Sequence, residues 1–210
     1  NWEDTEGTAF NTDFSRLALR TNVDHQINDK WDTSVKVNLS RSQQFGVCQD
    51  GNFINCPPSQ AMFEPIFSFP FNADGSYNAL TRFGLGNNPA VTKNEVDRLV
   101  DVVQIISSAR IQYNATDWLS FTGQAAVDYR NTEDEQFRSA IASAATGGFI
   151  FFANRNVRNI NTNVVANLRQ SFGGVHNVSG LVGAEYRRNF WETQFTQGDG
   201  LPGPFFKVLN

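Results

Sequence analysis

The chain has 210 residues, of which 40% are hydrophobic, and 17 basic against 21 acidic side chains give a formal net charge of −4. That balance lacks the excess of positive charge that binding of nucleic acid requires, so no nucleic-acid partner is expected. The mean hydropathy is −0.38, and no window approaches the roughly 18 uninterrupted apolar residues of a membrane-spanning helix. A soluble protein and a membrane β-barrel both remain open, because barrel strands give only a weak alternating signal.

The two ends of the chain lack a regular pattern. The opening NWEDTEGTAFNTDF has no periodicity, and the closing GLPGPFFKVLN resembles a loop. The first residue is not Met, and no signal peptide is evident. We therefore expect the chain to be a section of a longer protein.

Six segments with alternating apolar and polar residues follow one another along the chain. They form three pairs, each joined by a short turn (NDKW, NATD or FGGV): 15–27 with 31–42, 102–113 with 118–130, and 159–171 with 176–188. A period of two predicts strands with one apolar face. At about a dozen residues, these strands are twice as long as the usual 5–6. The sequence therefore predicts about six long strands in three hairpins.

The connections between the hairpins are longer than the turns within them. Residues 43–99 are predicted to form one very long loop, and residues 131–158 an intermediate one. No helix is predicted, although the segment 137–148 fits either one or two helical turns or a loop. Short turns therefore gather at one end of the sheet and long loops at the other.

The long loop contains two cysteines, Cys48 and Cys56, in a segment rich in Gly, Asn and Pro. They are either two unrelated thiols or a local disulfide. We favour the disulfide, which requires an oxidising compartment. A metal site is not expected, because there is no CxxC pair and both His residues are distant in sequence.

The alternation separates uncharged from charged residues. In the first hairpin the uncharged face consists of Leu17, Leu19, Thr21, Val23, His25, Ile27, Trp31, Thr33, Val35, Val37 and Leu39, and the later hairpins follow the same plan. The opposite face combines many amides and hydroxyls with Arg16, Arg20, Asp24, Asp32, Lys36, Arg110, Asp128, Arg130, Arg169, Glu185 and Arg187. One face of the sheet is thus predicted to avoid water and the other to meet it.

A β-sandwich and a membrane barrel would both show two such faces. Strand length favours the barrel, because about 12 residues tilted by about 40° cover roughly 30 Å along the membrane normal. Small residues within the apolar stripe, such as Ser107, Gly123 and Gly180, also favour it. They would leave a close-packed protein core short of volume, whereas lipid tails fill any shape.

Aromatic residues gather at both ends of the predicted strands, as in the two aromatic girdles of outer-membrane barrels. Those near the short turns are Trp31, Tyr113, Trp118 and Phe172, and those at the far ends are Tyr129, Tyr186, Phe190 and Trp191. We therefore predict an all-β fold, an antiparallel up-and-down transmembrane β-barrel segment. Six strands are too few to close a barrel, so the segment belongs to a larger one, with short turns in the periplasm and long loops outside.

Three stretches resemble the SusC/RagA-type TonB-dependent transporters of Bacteroidetes outer membranes. They are FSRLALRTNVDHQINDKWDTSVKVNLSRSQ, the loop element PFNADGSYNAL with the following NNPAV, and YNATDWLSFTGQAAVDYRNTEDEQF. The resemblance implies that residues 1–210 are part of a barrel of about 22 strands with a plug in its lumen. The TonB box, the plug domain and the carboxy-terminal strands of such a transporter are not among these residues.

The resemblance also implies partners and a location. The whole protein would lie in the bacterial outer membrane, draw energy from TonB, and work with a SusD-like lipoprotein that helps to capture glycans or peptides. The alternative function is a soluble or cell-surface carbohydrate-binding β-sandwich. The sequence contains no constellation of catalytic residues, so neither an enzyme nor a cofactor is predicted.

Two sets of residues are candidates for contact with a substrate. The charges of the predicted lumen face either contact substrate or plug or form structural charge ladders between strands: Arg20, Asp24, Lys36, Arg110, Asp128, Arg169 and Glu185. In the long loop Phe53, Phe67 and Tyr77 either stack on a substrate or pack within the loop and against the lipoprotein.

Overall fold

The computed structural model describes residues 1–8, 12–46, 60, 62, 69–78, 88–142 and 147–202. The strands in these residues are β1 (Trp2–Glu6), β2 (Asp13–Asn28), β3 (Trp31–Phe45), β4 (Val96–Thr116), β5 (Leu119–Arg138), β6 (Phe149–Phe172) and β7 (His176–Asp199), and helix α1 (Pro89–Glu95) precedes β4. Each strand pairs antiparallel with its neighbour in sequence, in one sheet of order β1 to β7. The all-β, antiparallel up-and-down prediction is confirmed.

Strand β1 corrects the prediction that the first residues have no regular structure. It pairs with β2 from Trp2 opposite Leu17 to Glu6 opposite Asp13. All five of its residues are exposed, so no apolar stripe marks the strand in the sequence. Backbone pairing with β2 forms it instead, and the described part of the chain has seven strands rather than six.

Helix α1 was not predicted, although its start follows a common rule. Asn88 caps it by accepting a hydrogen bond from the backbone N–H of Ala90 at 2.9 Å, and Pro89 occupies the first turn, where a missing N–H costs nothing. Seven residues are too few to produce a helical period in the sequence. No helix among the described residues is long and apolar enough to cross a membrane.

The four later strands are longer than the alternation indicated, with 21, 20, 24 and 24 residues in β4 to β7. Strands β3 and β4 reach Phe45 and Val96, inside the predicted loop 43–99, and β5 and β6 likewise extend into the predicted loop 131–158. Both faces of these extensions carry polar residues, so the sequence no longer alternates between apolar and polar residues. The backbone hydrogen bonds between the strands nevertheless continue. The connections are therefore 46–95 and 139–148.

The three predicted short turns are confirmed, and two of them show why their residues suit a turn. Asn28 Oδ1 accepts hydrogen bonds from the N–H groups of Lys30 and Trp31 at 2.9 and 3.1 Å, as asparagine commonly does in turns. Gly173 and Gly174 have φ of 60° and 70°, a conformation that glycine adopts without steric cost. All three turns lie at the same end of the strands.

The strand register confirms the predicted separation of faces. Residues directly opposite in neighbouring strands share a face, and one uncharged row runs Val23, Val35, Ala109, Ala125, Thr162 and Tyr186 across β2 to β7. Trp191 is an exception to the girdle prediction. It lies opposite Val157, which pairs with Arg130 of the charged face, whereas Phe190 lies on the uncharged face.

The uncharged face changes character part-way along the strands. From the short turns it stays uncharged up to Arg41 on β3, Glu133 on β5 and Arg188 on β7, which lie ten, fourteen and twelve residues after the strand begins. We call the lower part the apolar band and the upper part the polar zone. On each strand of the three hairpins the first charged residue of this face lies ten to fifteen residues from the short turn.

The apolar band is not covered by protein. Leu19 is 62% exposed, Val164 58% and Val182 65%. The hydrophobic residues that are buried, within the described residues, lie near the loop end: Val91, Val96, Phe137 and Ile150. So large an exposed apolar surface is rare in soluble monomers and marks a surface that meets protein or lipid.

Candidate functional site

The charged face brings the predicted candidate residues together in transverse rows. One row runs Asp24, Ser34, Arg110, Gln124, Asn163 and Glu185 across β2 to β7. It holds three of the seven candidates on one line. Every member is charged or carries an amide or hydroxyl, so the row can bind polar groups along its whole width.

The other candidates lie in neighbouring rows of the same face. Lys36 lies in the next row, opposite Asn22, and Arg20 and Asp128 lie in the row after it. Arg169 is opposite Ser179, much nearer the short turns. The structure thus groups six of the seven candidates in three adjacent rows and separates Arg169 from them.

Local hydrogen bonds hold several of these side chains in place. Asn161 Nδ2 donates to Glu185 Oε1 at 2.9 Å, and Arg187 donates to the same oxygen at 2.9 and 3.1 Å. Arg110 donates to Gln112 Oε1 at 2.8 Å, and Gln104 donates to Asp128 Oδ1 at 3.3 Å. The Glu185–Arg187 pair is open to solvent, and such pairs contribute only about 0–1 kcal/mol to stability.

Two hollows on the sheet are lined by candidate residues. One, of about 350 Å³, has Asp24, Asp32, Arg110 and Gln112 among its lining residues. The other, of about 730 Å³, lies towards the short turns and includes Asn114, Asn167 and Arg169. Within the described residues no three His, Cys, Asp or Glu side chains are grouped to hold a metal ion.

Aromatic residues at the loop end of the charged face were missed by the sequence prediction. Phe151 stacks against Phe149 and Phe195 with ring centroids 6.4 and 6.5 Å apart, and the Arg138 guanidinium lies 5.3 Å from the Phe149 centroid. Phe149 and Phe151 are two apart in FIFF, a strand spacing that was assigned to the loop 131–158. Phe195 is 71% exposed, so this aromatic cluster is open to a ligand.

Side-chain hydrogen bonds connect neighbouring strands in the polar zone. The Arg41 guanidinium donates through Nε to Asp101 Oδ2 at 3.1 Å, and Gln43 donates to the same oxygen at 2.9 Å. The hydrogen bond from Arg41, more than any other contact, lowers the pKa of the Asp101 carboxyl below its usual value. Beside them Tyr129 Oη donates to Asn156 Oδ1 at 3.0 Å, so an aromatic ring spans the border with its hydroxyl on the polar side.

The described part of the long loop is organised around one asparagine. Besides capping α1, Asn88 donates through Nδ2 to the carbonyls of Pro70 and Asn78 at 2.6 and 3.0 Å. Asp74 Oδ1 accepts from Ser76 N and Oγ, which lowers the pKa of Asp74. The motifs NADGS and NNPAV, more than ten residues apart, therefore build one unit.

The loop aromatics that were predicted to contact a substrate can be located only in part. Tyr77 stacks on Phe71 at 5.5 Å, and its hydroxyl donates to Glu95 Oε1 at 3.2 Å and accepts from Asn94. These contacts lie within the loop and favour the packing role for Tyr77. Phe53, Phe67, Cys48 and Cys56 lie outside the described residues, and their predicted roles and disulfide stay predictions.

The class of protein follows from these features together. Long antiparallel strands, paired strictly in sequence order, with one face apolar and exposed and the other charged, form the wall of an up-and-down β-barrel. The seven-stranded sheet is a section of such a wall.

Comparison with proteins of known sequence supports a more particular relation. The chain is 25% identical over 213 residues to TonB-dependent receptor P26 of Formosa agariphila, and 27% identical over 200 residues to TonB-dependent receptor P3 of the same organism. These matches cover 96% and 90% of the chain but only 20% and 19% of the relatives. The chain thus spans about a fifth of the length of the curated relatives it matches. No protein-family model matches it.

Solved structures agree on the fold. The RagAB peptide importer in its closed-closed state superimposes with a TM-score of 0.74 over 100% of the chain and 24% of the importer chain, at 18% identity. The open-open state gives a TM-score of 0.71 over 94% of the chain. The predicted resemblance to SusC/RagA-type TonB-dependent transporters is therefore confirmed. These relatives are receptors and importers rather than enzymes.

Proposed function

We propose that the chain is a section of the barrel wall of a TonB-dependent importer in a bacterial outer membrane, and that the whole protein takes up glycans or peptides. The apolar band carries this proposal. It is uncharged, exposed, and extends for at least ten residues from the short turn on every strand of the three hairpins. An exposed, uncharged surface that continues across six strands is rare in soluble monomers.

The height of the band fits the hydrocarbon layer of a membrane. Ten to fifteen residues separate the short-turn end of each of these six strands from the first charged residue on that face. At about 3.3 Å per residue and a tilt of about 40°, this distance is about 25–38 Å along the normal, enough to span the hydrocarbon layer. Barrels carry an apolar belt about 25 Å tall, so the polar zone would stand above the membrane.

The opposite face suits a lumen filled with water and a plug. Rows that combine Asp24, Arg110 and Glu185 with amides and hydroxyls offer hydrogen bonds but no apolar surface to lipid. We propose that these rows, with Arg20, Lys36, Asp128 and Arg169, contact the plug or the substrate. The aromatic cluster of Phe149, Phe151 and Phe195 would stand at the mouth of the lumen, where rings can stack on a sugar or a peptide side chain.

The partners follow from the same assignment. In barrels of this kind short turns face the periplasm and long loops face outwards, so the connections 46–95 and 139–148 would meet a SusD-like lipoprotein. The solved neighbours are RagAB importers, which supports a two-component arrangement. TonB would act on a part of the protein outside these residues, and a Cys48–Cys56 disulfide would persist in the oxidising exterior.

A carbohydrate-binding β-sandwich is the competing function. A sandwich packs the apolar faces of two sheets together, whereas all strands in the described ranges belong to one sheet with its apolar band exposed. The structure therefore favours the importer.

The test uses the whole protein expressed in an outer membrane, with and without TonB. We expect the protein to fractionate with outer-membrane barrels, and labelled oligosaccharides or oligopeptides to accumulate in the cell only when TonB is present. Replacing Arg110 with alanine should reduce uptake while leaving the amount of folded barrel unchanged. A protein that is soluble without detergent, or uptake that is indifferent to TonB, would overturn the proposal.

A further inference from the structure

Two arginines occupy an unusual place at the border between the apolar band and the polar zone. Arg158 of β6 lies opposite Tyr129 on one side and Phe190 on the other. Arg188 of β7 lies on the same face, opposite Ile160 and two residues nearer the short turn than Phe190. Both side chains therefore project from the face that otherwise meets the membrane, at its upper edge.

One aromatic ring orients both guanidiniums. The Cζ atom of Arg158 lies 5.1 Å from the centroid of the Phe190 ring, and that of Arg188 lies 4.3 Å from it. Attraction between a guanidinium and an aromatic face is strongest where water is scarce. The two Cζ atoms therefore lie no more than 9.4 Å apart, although the two charges repel each other.

Within the described residues, no acid neutralises these two charges. The ion pairs there join Arg41 to Asp101, Arg98 to Asp134 and Arg187 to Glu185. Two acids of the same face, Glu192 and Glu133, hydrogen-bond to amides rather than to either arginine. Glu192 accepts from Gln194 Nε2 at 2.9 Å, and Glu133 accepts from Asn154 Nδ2 at 3.1 Å. Two cations beside one ring, neither in an ion pair with an acid, offer a site for an anion.

We propose that Arg158 and Arg188 bind the phosphate head group of an anionic lipid in the outer leaflet. This inference rests on the proposed barrel, because the height of the site along the strands is what brings it level with head groups. Arginine matches phosphate through its planar fork of N–H donors. The lipid chains would then lie against the apolar band below, next to Ile160 and Tyr186.

The experiment places the whole protein in phosphatidylcholine nanodiscs and measures by native mass spectrometry how much added phosphatidic acid it retains. The variant with both Arg158→Gln and Arg188→Gln tests the site, and Arg155→Gln serves as control. Arg155 belongs to the same strand but faces the opposite side, in the row of Arg16 and Thr132. We expect retention to weaken about fivefold for each arginine removed, and about 25-fold for both, with no change for the control.

Substitution of both arginines by lysine should recover part of the retention, because the charge remains while the fork is lost. Equal retention by the double glutamine variant and the parent would overturn the site. So would an equal loss in the Arg155→Gln control, or full displacement of the lipid by inorganic phosphate, which would make the ligand a free anion. Failure of the parent protein to insert into nanodiscs would instead overturn the barrel proposal, and the two failures are thus distinguishable.

Discussion

The apolar band and the polar zone belong to the same strands and the same face of the sheet, yet their chemistry is opposite. On β3, Val35 and Val37 are followed on that face by Arg41 and Gln43, and on β5 Tyr129 is followed by Asn131 and Glu133. Strand geometry cannot cause the change, because pairing continues without interruption. The change in residue type is therefore explained by a change in the surroundings of this face, from apolar to polar, at the border.

The largest expected effect comes from placing a charge in the band. Val35→Arg should lower the free energy of unfolding of the intact protein by about 2–4 kcal/mol, because the charge must enter the hydrocarbon near its mid-depth. Folding titrations in lipid vesicles measure this cost. Gln43→Arg, on the same face of the same strand but in the polar zone, should cost almost nothing, and so should Lys36→Ala on the charged face. Equal losses of stability for Val35→Arg and Gln43→Arg would contradict a border between the apolar band and the polar zone.

A smaller effect is expected above the border, where hydrogen bonds rather than burial hold the chain. Asn88→Ala removes a helix cap and two bonds to the carbonyls of Pro70 and Asn78, which together should cost about 2 kcal/mol. Hydrogen exchange should show faster opening of residues 70–78 and α1, with no change in the strands of the band. Asn94→Ala, which loses only a bond to Tyr77, is the matched control.

Two glycines of the third hairpin, one in the turn and one in the apolar band, should differ in their effect on stability when replaced by alanine. Gly174→Ala places a side chain at φ of 70° in the turn, which should destabilise by about 1 kcal/mol. Gly180→Ala, in the band, meets nothing within 4 Å, so it should be neutral. Comparable losses at both sites, measured by thermal unfolding in detergent, would indicate that the band is packed against protein rather than lipid.

The smallest effect is the response of the polar zone to acid. The pKa of Asp101 is lowered in the folded state, chiefly by Arg41, so the pair adds stability above the unfolded pKa of about 3.9. That stability disappears as the pH falls through the lower folded pKa. Between pH 5 and 8 the parent should be slightly more stable than Asp101→Asn, and the difference between their unfolding midpoints should not change with pH. Below about pH 4 this difference should disappear. An advantage that grows on acidification would contradict the assignment.

The sequence predicted the structure correctly where the two faces of a strand have different surroundings, one apolar and one polar. Within the band, period two located the strands, the turns and both faces, and it placed Asp24, Arg110 and Glu185 on the charged face. It failed where water lies on both sides, because no alternation marks a strand there. Strand β1, the upper halves of β5 and β6, and the cluster of Phe149 and Phe151 were missed for that one reason.

Helix α1 and the Asn88 unit were missed for a different reason. Their stability comes from contacts between Pro70, Asn78 and Asn88, which depend on how distant stretches of the loop meet. The dipeptide Asn88–Pro89 was a visible start signal, but a helix of seven residues gives no period to confirm it. The predicted contacts of the lumen charges depend on partners that a single sheet does not contain.

The uncharged row from Val35 to Tyr186 also determines the girth of the finished structure. Val35 is four residues from its short turn and Tyr186 is ten, so the turns step by six residues across four strands. At about 3.3 Å per residue and about 4.8 Å between strands, level turns require strands inclined by about 45°. Each strand then occupies about 7 Å of circumference, and a barrel of about 22 such strands, as the resemblance implies, would be about 45–50 Å across. A bore of that width would not hold back solutes by itself, which gives a physical reason for the plug that the resemblance implies.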